Sequence, residues 1–205
     1  MQKMETLKRS QIEVINLFRR NIFLSKTIRE ISFLVKKDYP NVHRAVKELE
    51  KMGVLKLQKI GKALVCKIAL SERTISILSF LDEQESFSKK IPNIERILAF
   101  NEFFDDIILI TGSYAKGKEN KKSDIDLVII TKDNPLNKQK LIENLIALFL
   151  PKIHAVVISY KDFVDMLLSE EENYGKEIFK NRFVFRNAKR YYVLIREAIS
   201  HGFGG

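Results

Sequence analysis

Thr111-Gly112-Ser113-Tyr114-Ala115-Lys116-Gly117 and, five residues on, Ser123-Asp124-Ile125-Asp126-Leu127-Val128-Ile129-Ile130 decide how this chain is read. The apolar run Ile107-Ile108-Leu109-Ile110 leads into the first half and predicts a buried strand. Gly112-Ser113 then turns the chain. The second half is β-rich and carries Asp124 and Asp126. Residues i and i+2 of a strand point to the same side. The two carboxylates therefore project together, and Ile125 and Leu127 face the other way into a core. Two hard oxygen ligands beside a glycine-serine turn suit Mg²⁺ carrying a polyphosphate. The turn offers backbone N–H groups and the Ser113 hydroxyl to phosphate oxygens.

Taken alone, Asp-x-Asp is a solvated strand end and Gly-Ser an ordinary turn. The combination is far more restrictive. Gly112-Ser113 through Gly117 to Ser123-Asp124-Ile125-Asp126-Leu127 resembles the signature of the nucleotidyltransferase superfamily in its minimal form. That resemblance implies an α/β domain with a mixed sheet, a nucleoside triphosphate as substrate or ligand, and Mg²⁺ or Mn²⁺ on Asp124 and Asp126. It also implies a nucleotide cradled by Gly112, Ser113, Gly117 and Ser123. Lys116, Lys118, Lys121 and Lys122 lie in the loop between the halves, as phosphate or acceptor contacts or as a solvated lysine run.

The chain's 205 residues suit one large or two small domains, and 45% hydrophobic residues can bury a core. No apolar run approaches the roughly 20 residues needed to span a bilayer. Met1-Gln2-Lys3-Met4-Glu5 opens no secretory signal. The single cysteine, Cys66, excludes an internal disulfide and reads as a small buried hydrophobe. A soluble, cytoplasmic protein without a membrane partner is expected.

Charge is unevenly spread. Residues 1–70 carry 16 Lys and Arg against 6 Asp and Glu, whereas residues 71–205 carry 20 of each. The whole excess of +10 belongs to the first third. Such a module is an electrostatic footprint for a polyanion.

The pattern of residues 1–70 agrees. Ile12, Ile15, Leu17 and Phe18 mark one helix. Thr27 with Glu30 forms a capping box for a second helix over about 28–37, burying Ile28, Ile31 and Leu34. Pro40 suits the start of a third helix, with Val42, Val46 and Leu49 inward and Gly53 as its stop. Val54–Ile60 and Ala63–Ile68 alternate about Gly61-Lys62 as a β-hairpin. Three helices followed by a basic hairpin resemble a winged helix-turn-helix domain. The resemblance implies DNA as partner, with Asn41, His43, Arg44 and Lys47 on the outward face of the recognition helix. Lys59 and Lys62 sit at the hairpin tip. A wing used for protein contacts is the alternative.

The expected organisation is a winged helix over 1–70, a connecting helix and hinge over 71–91, and an α/β domain over 92–205. The connector presents Ile75, Leu78 and Leu81, either for packing or for a homodimer. Asp82 to Lys90 reads as the hinge, and Pro92 opens a helix over Asn93 to Phe100. Beyond the motif, Asn137 to Leu150 reads as a helix with Leu141, Leu145, Leu148 and Phe149 inward. Ile153–Ile158 reads as a buried strand. Val164 to Leu168, Tyr174 to Phe179 and Asn187 to Ile199 read as helices, and Gly202–Gly205 as a frayed tail.

The resemblance implies nucleotidyl transfer to an acceptor hydroxyl, and it also implies a third carboxylate on the next strand. By spacing that acid falls at or near His154. Imidazole is a poor ligand for Mg²⁺. Asp162 and Asp165 lie beyond the strand. Two readings therefore stand: a DNA-tethered enzyme, or a transcriptional regulator or antitoxin-like protein whose degenerate domain binds nucleotide or a partner protein without catalysis.

Overall fold

The computed structural model describes residues 7–120 and 123–205. Met1 to Glu5, Lys121 and Lys122 lie outside the described residues. The chain divides into two compact units, Met1–Leu78 and Ser79–Gly205.

The first unit is three helices and a small three-stranded sheet in the order β1-β3-β2. Helix α1 (Arg9–Arg20) buries Val14, Ile15 and Phe18. Ile12 and Leu17, expected inward, are half-buried, because the stripe is centred one position away on Val14. Strand β1 (Lys26–Thr27) runs into α2 (Ile28–Leu34). Thr27 and Glu30 form the expected capping box. The helix stops at Leu34 rather than 37, so Leu34 falls off the buried face and is half exposed. Asp38 caps α3 (Tyr39–Lys51), with Pro40 in its first turn and Val42, Ala45, Val46 and Leu49 buried. Gly53 ends it at φ +71°, where a side chain would be strained.

The hairpin pairs β2 (Leu55–Ile60) with β3 (Ala63–Ile68) from Leu55↔Ile68 to Ile60↔Ala63. Its two-residue turn has Gly61 at φ +58°. Sequence reading missed β1, which pairs with β3 at Cys66 and Val65. Cys66 is fully buried, and burial pushes its thiol pKa up to about 11, so it packs as an inert hydrophobe.

Helix α4 (Glu72–Phe87) is continuous where a hinge was expected from Asp82. The polar residues misled: Asp82 and Ser86 are buried. Tyr192 donates to Asp82 Oδ2 at 2.6 Å, and the Arg182 guanidinium lies 3.7 Å away. The division between the compact units falls inside this helix.

In the second unit α5 (Ile94–Leu98) and a 3-10 turn, Asn101–Phe103, replace the single helix expected after Pro92. A four-stranded mixed sheet follows, in the order β6-β5-β4-β7. Strands β4 (Ile107–Thr111) and β5 (Ile125–Thr131) are antiparallel, and β6 (Ile153–Ser159) joins β5 in parallel. Strand β7 (Phe183–Arg186), absent from the sequence reading, pairs antiparallel with β4. Four residues leave too short a pattern to score.

One face of the sheet presents Ile108, Ile110, Ile125, Leu127 and Ile129 to a core that includes Ile94, Ile97 and Ile142. Alternation turns Ile107, Leu109, Val128 and Ile130 to the opposite face, where they are also buried. Helix α7 (Pro135–Ile146) is shorter than expected and buries Ile142 and Ile146. Leu141 and Leu148 are exposed, since the buried stripe runs one position later and the helix ends before Leu148. Strand β6 is an edge strand with His154 and Val156 exposed, not a fully buried one. Helices α8 (Tyr160–Leu168), α9 (Tyr174–Lys180) and α10 (Ala188–Ser200) complete the unit. Asp162 caps α8 with Ser159. The tail does not simply fray: Phe203 is buried, 5.0 Å from the Phe179 ring centroid in an edge-on contact. Among the described residues no helix is long and apolar enough to cross a membrane.

Candidate functional site

The corner between β4 and β5 gathers the motif. Thr111 pairs with Asp126, so the Gly112 turn lies directly beside the second carboxylate. Short helix α6 (Gly112–Ala115) starts there, with Gly112 at φ +67°. A Cβ on Gly112 would stand 1.8 Å from Asp126 Oδ2. Glycine is thus required twice, for its backbone conformation and for the close approach of the carboxylate. The Thr111 hydroxyl donates to the Asn181 carbonyl at 2.7 Å, fixing the end of α9 to the same corner.

Asp124 immediately precedes β5 and Asp126 is its second residue, so the pair shares a face by alternation. Ile125 and Leu127 are buried on the other face, as expected. The parallel register sets His154 of β6 against Asp126. His154 Nε2 lies 2.9 Å from Asp124 Oδ2, with the side chains 50% and 43% exposed. The position where the resemblance implies a third acid therefore carries an imidazole in contact with the first carboxylate. Burial raises the Asp126 pKa; His154 opposes the rise, and the charges of Glu177 and Asp124 add to it.

Glu177 was not singled out from sequence. It stands on α9, far along the chain, with nothing nearby to mark it. Its Oε1 accepts from Lys116 Nζ at 2.6 Å. Tyr174, one turn earlier, has its hydroxyl pKa pushed up to about 12 by burial and by the charges of Asp126 and Glu177. Of the motif's other residues, Ser113 is half-buried at the turn, and its carbonyl accepts from Lys118 N–H at 2.9 Å. Gly117 ends the turn at φ +63°. The Ser123 hydroxyl accepts from Asn120 N–H at 2.9 Å, closing the loop just before Asp124. Asp162, in its cap, takes no part.

Among the described residues no three His, Cys, Asp or Glu side chains already converge as a metal cage. Asp124 and Asp126 supply hard oxygen donors of the kind a divalent cation takes. Two carboxylates and an imidazole occupy adjoining positions on one face, with the Gly112 turn close against Asp126. Like charges at Asp124 and Asp126 repel, and a cation between them relieves that repulsion.

In the first unit, the expected contact residues lie on α3 and at the tip of the β2–β3 hairpin. Arg44, Lys59 and Lys62 are exposed. Asn41 is exposed but tied to the cap, its Nδ2 donating to Asp38 Oδ1 at 2.7 Å. His43 is half-buried against Tyr39, with ring centroids 5.7 Å apart. Lys47 is half-buried and donates to Glu50 at 2.9 Å. Sequence reading missed a groove between α2, the start of α3 and the β2–β3 hairpin, lined by Arg29, Phe33, Lys37, Tyr39 and Lys62. Its basic and aromatic residues come from three elements, and no single stretch displays them together.

Comparison with known proteins agrees with this corner. The family model for the nucleotidyltransferase domain matches residues 91–185, which contain both halves of the motif. A second family model, HVO_A0114, matches residues 24–77. A candidate protein adenylyltransferase of Methanocaldococcus jannaschii is 32% identical over 77 residues, covering 36% of this chain and 78% of that protein. The solved structure of TrmBL2, an archaeal chromatin protein described as binding DNA, aligns with 98% of this chain and 94% of its own at 11% identity. Its TM-score is 0.31. With the Gly112 corner, the paired aspartates and a relative matched over most of its length, the chain belongs to the nucleotidyltransferase domain family.

Proposed function

We propose that the second unit transfers a nucleotidyl group from a metal-bound nucleoside triphosphate to an acceptor hydroxyl, and that the basic first unit brings the protein to DNA. The observation that carries the first part is the Gly112–Asp126 approach, which sets a glycine turn directly beside the carboxylates. The relative's name points to an adenylyl group and a protein acceptor. ATP and a protein side chain are therefore the first pair to test.

Asp124 and Asp126 would hold the divalent cation, with His154 beside them. A bound cation there would supply charge neutralisation for the phosphates. Gly112 keeps the turn close to Asp126, and Ser113 presents its hydroxyl and backbone N–H at the start of α6. Lys116 stands at the end of that turn and supplies a positive charge now held by Glu177. When phosphate oxygens draw Lys116 away, Glu177 is left as a free carboxylate near Asp126. It can then accept a proton from an acceptor hydroxyl.

A second reading is favoured by one observation. His154 stands where a third acid is implied, so the unit would bind nucleotide without transferring it. Incubation of the full chain with α-labelled ATP, Mg²⁺ or Mn²⁺ and cell extract separates the two. Label on a protein, lost in Asp124→Asn/Asp126→Asn, supports transfer. A nucleotide-dependent rise in melting temperature that the double variant also loses, with no label transferred, supports binding alone. If neither appears, both readings fail.

A further inference from the structure

We propose that the groove between α2, the start of α3 and the β2–β3 hairpin holds single-stranded DNA, with bases stacked on Phe33 and Tyr39 and phosphates on Arg29, Lys37 and Lys62; this rests on the reading of the basic first unit as directed to DNA. The two rings motivate it. Phe33 is 70% exposed and Tyr39 49% exposed, and both line one concavity of about 730 Å³. A phenyl ring left so far in water adds little to the core and keeps most of its apolar surface for a partner.

Local structure holds the rings in place. Helix α2 stops after Leu34, Lys36 takes φ +54°, and Lys37 N–H donates to the Ser32 carbonyl at 3.1 Å. That closure fixes the backbone on either side of Phe33. Asp38 then caps α3, so Tyr39 is the first residue of the helix. The rings therefore stand on two adjoining helix ends, and Lys62, in the hairpin turn, borders the groove from the third side.

Charge names the partner. Arg29, Lys37 and Lys62 are all exposed, and the groove's one carboxylate is Asp38. Asp38 is occupied by Asn41, accepting from its N–H at 3.2 Å and its Nδ2 at 2.7 Å. Lys37 has Glu13 at 3.7 Å, a long and exposed pair that a phosphate can displace. The excess of +10 confined to residues 1–70 suits a chain of phosphates better than a single nucleotide. In a duplex the base faces are hidden in the stack, and these rings would meet only edges and sugars. A single strand offers its base faces to aromatic rings and its phosphates to the cations around them.

The test uses the full chain. A labelled strand of roughly 20 nucleotides, longer than the roughly 4–16 that one small domain covers, is titrated alone and as a duplex with its complement. Fluorescence anisotropy is followed over a range of salt. The wild type is expected to bind the strand at least as tightly as the duplex. Phe33→Ala and Tyr39→Ala should each weaken the strand about fivefold or more and leave the duplex within about twofold. Tyr39→Phe keeps the ring and should keep the affinity. Circular dichroism of each variant checks the fold. A strand carrying 5-iodouracil, irradiated on the wild type, should crosslink at Phe33 or Tyr39, located by peptide mass spectrometry. A strand bound more weakly than the duplex and indifferent to both alanine changes overturns the inference and keeps the DNA reading. Equal losses for strand and duplex also overturn it, since the rings would then act on paired DNA. No salt-sensitive binding of either form removes the DNA reading and this inference together.

Discussion

Gly112 lies so close to Asp126 that no Cβ fits between them. The cost of a side chain there has two sources: a left-handed backbone at φ +67°, and a Cβ 1.8 Å from a carboxylate oxygen. Gly112→Ala should therefore destabilise the second unit by about 1–2 kcal/mol from backbone conformation alone. It should also push Asp126 out of line. The expected result is loss of the thermal shift given by Mn²⁺ and ATP, although no donor has been removed. A Gly112→Ala protein that binds metal and nucleotide normally would show that the close approach has no role in the site. Sequence named Gly112 and Asp126 from their spacing. It did not name Glu177 or Tyr174, which arrive from α9 because the Thr111–Asn181 hydrogen bond folds that helix back onto the corner.

Short elements in this protein are held by side chains that answer backbone groups. In the first unit, Glu30 accepts from Thr27 N–H at 2.8 Å and from Lys26 Nζ at 2.9 Å. The Thr27 backbone, then Lys26 and the Thr27 hydroxyl, lower the Glu30 pKa to about 2. A lowered folded pKa stabilises fully above the unfolded value of about 4.3 and is lost as pH falls toward about 2. Glu30→Gln should thus reduce the urea midpoint at pH 7, and the gap to wild type should narrow steadily as pH falls from about 4.3 toward about 2. The mirror case is the edge strand β6. Gln139 of α7 donates to the Ala155 carbonyl at 2.9 Å and accepts from Val157 N–H at 2.8 Å. One amide side chain thus stands in for a neighbouring strand and blocks the edge from pairing with another chain. Polar content misleads again in the second half of α4, where a serine-containing acidic stretch looks like a hinge. Asp82 there balances Arg182, which is 8% exposed, donates to the Phe179 carbonyl at 2.6 Å and stacks on Tyr191. Removing one member of a buried pair leaves an uncompensated charge and costs about 3–5 kcal/mol. Asp82→Ala is expected to lower the second unit's stability by that amount in urea denaturation. A loss under about 1 kcal/mol would show that water reaches the pair.

Across the whole molecule the charge asymmetry sets the most direct test. The first 70 residues carry the net +10, and Arg44, Lys59 and Lys62 lie exposed on α3 and at the tip of the β2–β3 hairpin. In the full chain, Arg44→Ala should weaken the preferred DNA sequence by roughly 1–3 kcal/mol and relax preference if it reads a base. Lys59→Ala/Lys62→Ala should weaken all duplexes alike and flatten the dependence on salt. DNA affinity indifferent to salt and to all three changes would assign the basic unit another partner. By itself the sequence determined what depends on local chemistry: the capping box at Thr27, the turn at Gly61, alternation in β5, and the glycine and aspartates of the motif. Each of these is written within a few neighbouring residues. Tertiary structure decided the rest, because it concerns residues distant along the chain. It chose which side of α1 and α7 is buried, and it turned Asp82 inward. It also added β1 and β7 as third and fourth partners to existing sheets, and carried His154 and Glu177 to the carboxylates. A two-residue strand or a glutamate on a remote helix has no local signature, since its meaning comes from what the fold places beside it.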